Sequence, residues 1–356
     1  MNIKILFFII ILICSVNITV SKSTASEIEE PPTYNIYTVE DLKAAEFFSS
    51  SNDAGFFLMN DIEIMDEIWN PIGSTNRPFK GTFYGNNHTI TFTKDTELRQ
   101  SVGYENSGSG LFGNVCGGKI YDLTIVLQGN LTSEFDNVGP LAGIVRGDQT
   151  TGYSKPSEVF NCTVQSQNYT IFGKNNVSGL VGSVNGTIIN CSSDCSIKAK
   201  ESNSGGLIGY AFNINISNSL STGLVESENN SGGLVGFVRL GNISNVSATG
   251  AVKSETYAGG LIGYVSNTTV ISDSSANGTV KPKGAFGNFI GGWAENCKPD
   301  VINCYYQKEE VDLEPVPDLN PVPTDPAGVS KTTFVAIAVF LLLMTVLAVI
   351  YLTKIK

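Results

Sequence analysis

GGLIGYA (Gly205–Ala211), GGLVGFV (Gly232–Val238) and GGLIGYV (Gly259–Val265) are one seven-residue phrase written three times, 27 residues apart. A fixed period of this size marks a solenoid, in which each unit buries its apolar face only against its neighbours. Weaker copies extend outward from it: GLFG at Gly110, GPLAG at Gly139, SGLVG at Ser178 and IGGW at Ile290. The apolar anchors of the series are then Leu111, Leu141, Leu180, Leu207, Leu234, Leu261 and Ile290.

Each unit carries a second anchor, an apolar residue followed at two positions on by Asn or Asp. It reads Ile120-Tyr121-Asp122, Val159-Phe160-Asn161, Ile188-Ile189-Asn190, Ile216-Ser217-Asn218, Ile243-Ser244-Asn245, Ile271-Ser272-Asp273 and Val301-Ile302-Asn303. In three units a Gly (Gly223, Gly250, Gly278) then precedes a short Val-containing segment. The segments are rich in Val, Ile and Thr and are separated by Gly, Asn and Ser, which predicts three short strands per coil rather than helices. Coils would stack at about 4.8 Å, the spacing of neighbouring strands. The fold expected is an all-β parallel solenoid of about 27-residue coils.

The units resemble the GLUG motif, a repeat of bacterial immunoglobulin-A protease precursors and of microbial adhesin-like surface proteins. The segments ahead of them, IYTVEDLKAAEFF (Ile36–Phe48), FFLMNDIEI (Phe56–Ile64), WNPIGS (Trp69–Ser74) and FKGTFYGNNHTI (Phe79–Ile90), are similar to what precedes such repeats. The resemblance spans residues 34–305, as a cap region 34–109 and repeats 110–305, and implies a right-handed parallel β-helix. It implies no protease activity, since those proteases carry catalysis in a separate domain. A short N-terminal helix is expected, with Thr38 as N-cap and Asp41 three residues on.

The ends of the chain place it at a membrane. Residues 1–25 read as a signal peptide, with Lys4, an apolar run from Ile5 to Ile13, and small Ser23 and Ala25. Residues 331–353 read as a single transmembrane helix around the uncharged Phe334–Leu352, leaving a cytoplasmic tail of residues 354–356. Between them, residues 306–330 form a stalk in which Pro315, Pro317, Pro321, Pro323 and Pro326 alternate with carboxylates. The expected localisation is the cell surface, with the N-terminal ectodomain outside. Residues 26–330 hold 33 acidic side chains against 17 basic ones, which disfavours nucleic acid as a partner.

Chemistry is sparse. The single histidine, His88, sits in the turn GNNHTI without the nucleophile and acid that a triad requires. No cofactor is called for. Cys116, Cys162, Cys191, Cys195, Cys297 and Cys304 could pair as disulfides, and three of them follow the Asn anchor in one column. The alternative is that each is a small inward-facing residue, equivalent to Ser219, Val246 and Ser274.

Three further columns are candidates. Asn161, Asn190, Asn218, Asn245 and Asn303 are expected to form a structural ladder of amides. Glu201, Glu228 and Glu255 would splay into solvent or share a calcium ion. Tyr210, Phe237, Tyr264 and Trp293 would stack in the core, the favoured expectation, or face outward as a stripe for sugar rings or a protein. Thirteen Asn-x-Ser/Thr sequons follow the signal segment. The function expected is non-catalytic adhesion or recognition of an extracellular glycan or protein. A carbohydrate-active β-helix enzyme and a structural coat or spacer are the alternatives.

Overall fold

The computed structural model of the chain describes residues 30–306, apart from residues 52, 101–107, 150–154, 167 and 296. The expected signal peptide, transmembrane helix and tail, and all but the first residue of the expected stalk, lie outside that range. Among the described residues no helix is long and apolar enough to cross a membrane.

From Thr33 the chain is a parallel β-solenoid. Its strands line up along the stack as five parallel sheets, of ten, nine, eight, seven and five strands. One coil shows the order. Asn229–Gly232 lies in the five-stranded sheet, Val235–Val238 in the seven-stranded, Gly241–Ser244 in the ten-stranded, Ser247–Ala248 in the nine-stranded and Val252–Ser254 in the eight-stranded sheet.

A coil therefore has five short strands where three were expected. The two extra ones have weak strand character in isolation. Leu220–Ser221, Ser247–Ala248 and Ser275–Ala276 are two residues long, and Ser202–Gly205 and Asn229–Gly232 are built of Ser, Asn and Gly. Their ladders exist because the coils above and below hold them in register, which overrides local propensity.

The anchors behave as read. Leu111, Leu141, Leu207, Leu234 and Leu261 are fully buried, and each of the last three donates or accepts along the stack: Leu207 N to Leu234 O, 2.9 Å, and Leu234 N to Leu261 O, 2.9 Å. The last anchor is different. Leu261 N donates to Phe289 O, 2.9 Å, so Phe289 and not Ile290 takes the anchor position.

The glycines of the phrase are dictated by close approach. A Cβ at Gly236 would lie 2.7 Å from the carbonyl carbon of Asn203 and 2.7 Å from Gly209 O. Equivalent additions at Gly209 and Gly263 would meet the backbones of Asn176 at 2.4 Å and Asn230 at 2.7 Å. The seven- and five-stranded sheets thus touch backbone to backbone, and only hydrogen fits between them.

Helix α1, Val39–Phe48, begins at a capping box. Thr38 Oγ1 accepts from Asp41 N at 3.2 Å, and Asp41 Oδ2 accepts from Thr38 N at 3.1 Å. Its Leu42 and Ala45 are buried, and it lies against the strands Thr33–Ile36 and Ile62–Ile64 of the first coil. The first coils have an aromatic interior of Phe56, Trp69, Phe79, Phe83, Phe92 and Phe112, whereas Leu, Ile, Val and Ala fill the later coils up to Phe286 and Phe289.

Candidate functional site

The Asn column sits where the chain turns from the ten- to the nine-stranded sheet. Asp122, Asn161, Asn190, Asn218, Asn245, Asp273 and Asn303 all have φ between 50° and 55°. That left-handed conformation costs most L-residues 1–2 kcal/mol, by rough figures, and is tolerated best by Asn, Asp and Gly. Here Asn also gains a partner one coil away. Asn161 Nδ2 donates to Asp122 Oδ1 (2.7 Å), Asn190 to Asn161 (2.8 Å), Asn245 to Asn218 (2.7 Å) and Asn303 to Asp273 (2.6 Å). Asn190→Ala is expected to cost ~2 kcal/mol, read by chemical denaturation, and Asn190→Gly about half that, because Gly keeps the backbone free while losing the amide.

A second ladder was not anticipated. Asn137, Asn176, Asn203 and Asn230, with φ of 53° to 60°, precede or open strands of the five-stranded sheet. Asn176, Asn203 and Asn230 each donate through Nδ2 to the Oδ1 of the rung before, at 2.8 Å. The signal was present, since the last three recur at 27 residues, but Asn in a segment without apolar anchors reads as loop.

The residue after the first ladder's Asn closes the turn. Cys162 Sγ donates to Phe160 O (3.4 Å), Cys191 Sγ to Ile189 O (3.2 Å) and Cys304 Sγ to Ile302 O (3.3 Å). Ser219 and Ser274 make the same bond to Ser217 O (2.8 Å) and Ser272 O (2.6 Å). Cys and Ser therefore share one role, a small buried donor. All six cysteines are thiols; Cys116, Cys162, Cys191, Cys195 and Cys304 are buried and Cys297 is half-buried. Burial pushes the thiol of Cys195 up to about 12 and those of Cys116, Cys162 and Cys304 upward, so they are poor nucleophiles.

Glu201, Glu228 and Glu255 are exposed and do not converge; no group of three acidic, His or Cys side chains suited to a metal exists among the described residues. Like charges in register repel, and lysines at the two ends of the column offset this: Lys174 lies 3.8 Å from Glu201, and Lys283 pairs with Glu255. His88 serves a turn. Asp61 Oδ1 accepts from Thr89 N at 2.8 Å and meets His88 Nδ1 at 3.1 Å. These bonds, the Thr89 one foremost, hold the Asp61 carboxyl below its ordinary range.

The aromatic column stands apart from the main core. Tyr210, Phe237 and Tyr264 are half-buried, opposite one another in register, and absent from the cluster of core side chains. Their rings stack, with centroids 5.3 Å and 5.7 Å apart, and Tyr257 closes on Tyr264 at 4.8 Å. The core expectation is corrected for these three, and the stripe is corrected for Trp293. Tyr264 pairs with Gly292, and Trp293 with Val265, so Trp293 is one residue out of register and packs on the core. A one-residue slip in a strand turns a side chain to the other face.

A longer column lies on the ten-stranded sheet. Phe57, Tyr84, Tyr121 and Phe160 are paired in register, half-buried except for the exposed Phe160, with centroids 4.7, 5.8 and 6.2 Å apart. Lys119 Nζ lies 5.9 Å from the Tyr121 ring centre, and Tyr121 Oη donates to Glu158 at 3.2 Å. Tyr121 and Phe160 are the residues between the second anchor and its Asn or Asp; that they form one face with Phe57 and Tyr84 was hidden by the uneven length of the early coils. A shallow depression of about 510 Å³ at the turn between the nine- and eight-stranded sheets is lined by Glu67, Thr93, Lys94, Asp95, Gln128 and Tyr169. Its carboxylates are engaged, Glu67 with Lys94 (3.3 Å) and Asp95 with Asn130 N (2.7 Å).

The family model of the GLUG motif matches residues 227–253 and 254–281. No curated protein matches the chain in sequence. Among solved structures, a candidate immunoglobulin A1 protease from Bacteroides ovatus superposes with a TM-score of 0.59 and 21% identity, covering 75% of this chain and 85% of that one. A surface adhesin of Streptococcus pneumoniae aligns over 75% of this chain and 88% of that one, at 12% identity and a TM-score of 0.19, too low to bear on the fold. The chain carries two matches to the GLUG motif and folds as a parallel β-solenoid.

Proposed function

We propose that this chain is a non-catalytic recognition or adhesion protein of the cell surface, anchored by one C-terminal span with its glycosylated solenoid outside. The signal-like start, the apolar Phe334–Leu352 and the terminal lysines support that topology. The coil would be right-handed, the sense that parallel strands joined by crossovers nearly always take. Its ligand is an extracellular glycan or protein met by an outward aromatic surface. The observation that carries this reading is the stacked column Tyr210–Phe237–Tyr264, half-buried and outside the core. Such rings offer large area at low entropic cost, and aromatic side chains dominate binding energy at interfaces.

Cells displaying the full chain should be retained on one or more members of a panel of immobilised glycans and extracellular proteins. Phe237→Ser with Tyr264→Ser is expected to lower that retention roughly tenfold or more, the scale of a lost hot spot, with the surface amount unchanged. Undiminished retention by the double variant would remove the column from the function.

A further inference from the structure

The sequons are not equivalent once the chain is folded, and the difference lies in what each amide already does. Asn161, Asn190 and Asn245 are rungs of the first ladder, and Asn176 belongs to the second. Asn215 and Asn242 bond each other across coils at 3.3 Å. Asn130 Oδ1 accepts from Thr170 N (2.9 Å), Asn229 Oδ1 accepts from Thr256 Oγ1 (2.9 Å), and Asn267 Oδ1 accepts from Thr268 N (2.7 Å). Asn185 is half-buried within the strand Val181–Asn185. Three remain. Asn87, Asn168 and Asn277 are exposed, lie in turns between strands, and make no side-chain hydrogen bond among the described residues.

We infer that Asn87, Asn168 and Asn277 are the glycan acceptors of this protein, an inference that rests on the reading of the chain as a surface glycoprotein. The donor is an oligosaccharide linked through its first sugar to a lipid pyrophosphate. The amide Nδ2 attacks the anomeric carbon and an N–C bond forms. The bond from that carbon to the pyrophosphate oxygen breaks, the lipid pyrophosphate leaves with the electron pair, and one Nδ2 proton passes to a base of the transferase. Nothing is oxidised or reduced. The modified nitrogen keeps a single N–H and carries a bulky polar chain that must reach water. A free amide in a turn meets that demand without cost. A ladder amide meets it only by crowding rungs one coil away, at the roughly 4.8 Å strand spacing.

The three positions also lie off the strands that bear the column Tyr210–Phe237–Tyr264. Asn168 and Asn277 fall at the same turn, between the nine- and eight-stranded sheets, and Asn87 between the ten- and nine-stranded sheets. None lies on a strand that bears Tyr210, Phe237 or Tyr264. Glycans so placed shield the turns and leave the Tyr210–Phe237–Tyr264 column for a partner.

The test is made on the full chain purified from its own cells. An amidase that releases N-glycans in isotopically heavy water converts each modified Asn to labelled Asp, which peptide mass spectrometry locates. Label is expected at Asn87, Asn168 and Asn277 and not at Asn161, Asn176, Asn190 or Asn245. Thr89→Ala, Thr170→Ala and Asn277→Gln, which remove one sequon each, should each remove one glycan's mass while the protein still reaches the surface. Label on a ladder residue, or glycan on the chain with these three unlabelled, overturns the assignment but leaves the glycoprotein reading standing. No mass loss and no label anywhere overturns both.

Discussion

Gly236→Ala is expected to unfold the central coils, with a loss of ~3 kcal/mol, the upper end of overpacking. The added carbon would sit 2.7 Å from both the Asn203 carbonyl carbon and Gly209 O and 2.8 Å from Ser204 N. All three atoms are backbone, so no rotamer change can relieve the contact. The two sheets would have to part, and parting them breaks the register that carries every coil beyond. Ser244→Ala, on the outer face of the next strand, is the control and should melt within a degree or two of the parent. Thermal unfolding followed by circular dichroism separates the pair. A Gly236→Ala protein as stable as the control would mean that the seven- and five-stranded sheets do not meet backbone to backbone.

Phe112→Ala should cost roughly 3–5 kcal/mol, as for other buried aromatics. Its ring is fully buried and packs on Phe79 at 5.0 Å and Phe83 at 5.3 Å, so truncation leaves a cavity that rigid neighbouring rings cannot close. Phe237→Ala removes the same group from a half-exposed column and should cost about 1 kcal/mol, the scale of its stacking contacts. The contrast matters more than either value. A Phe237→Ala loss equal to that of Phe112→Ala would place the column in the core and deprive the recognition reading of its carrier.

Part of the surface was legible before the fold was known. The alignment of Tyr210, Phe237 and Tyr264 followed from the period, because an unbroken interval puts equivalent residues in register. Trp293 was misplaced because Ile290 was taken as the anchor, whereas Phe289 occupies that position. Both are apolar and adjacent, so composition could not choose between them. The column Phe57–Tyr84–Tyr121–Phe160 escaped notice for a related reason. Insertions in the early coils leave no common interval, and only strand pairing brings the rings together.

The sequence by itself determined that the chain is a solenoid, which residues anchor every coil but the last, where the first Asn column repeats, and how the first helix is capped. These are local or strictly periodic properties, and a period records the contacts that one coil makes with the next. Only the tertiary structure decided the five-stranded coil, the left-handed turns beneath the Asn columns, the glycine contact between sheets and the outward aspect of the aromatic rings. Val235 and Phe237 are both apolar and share a strand face, yet one is fully buried and the other half-buried. Alternation along the strand cannot separate them, because burial depends on what packs over each position in the folded coil.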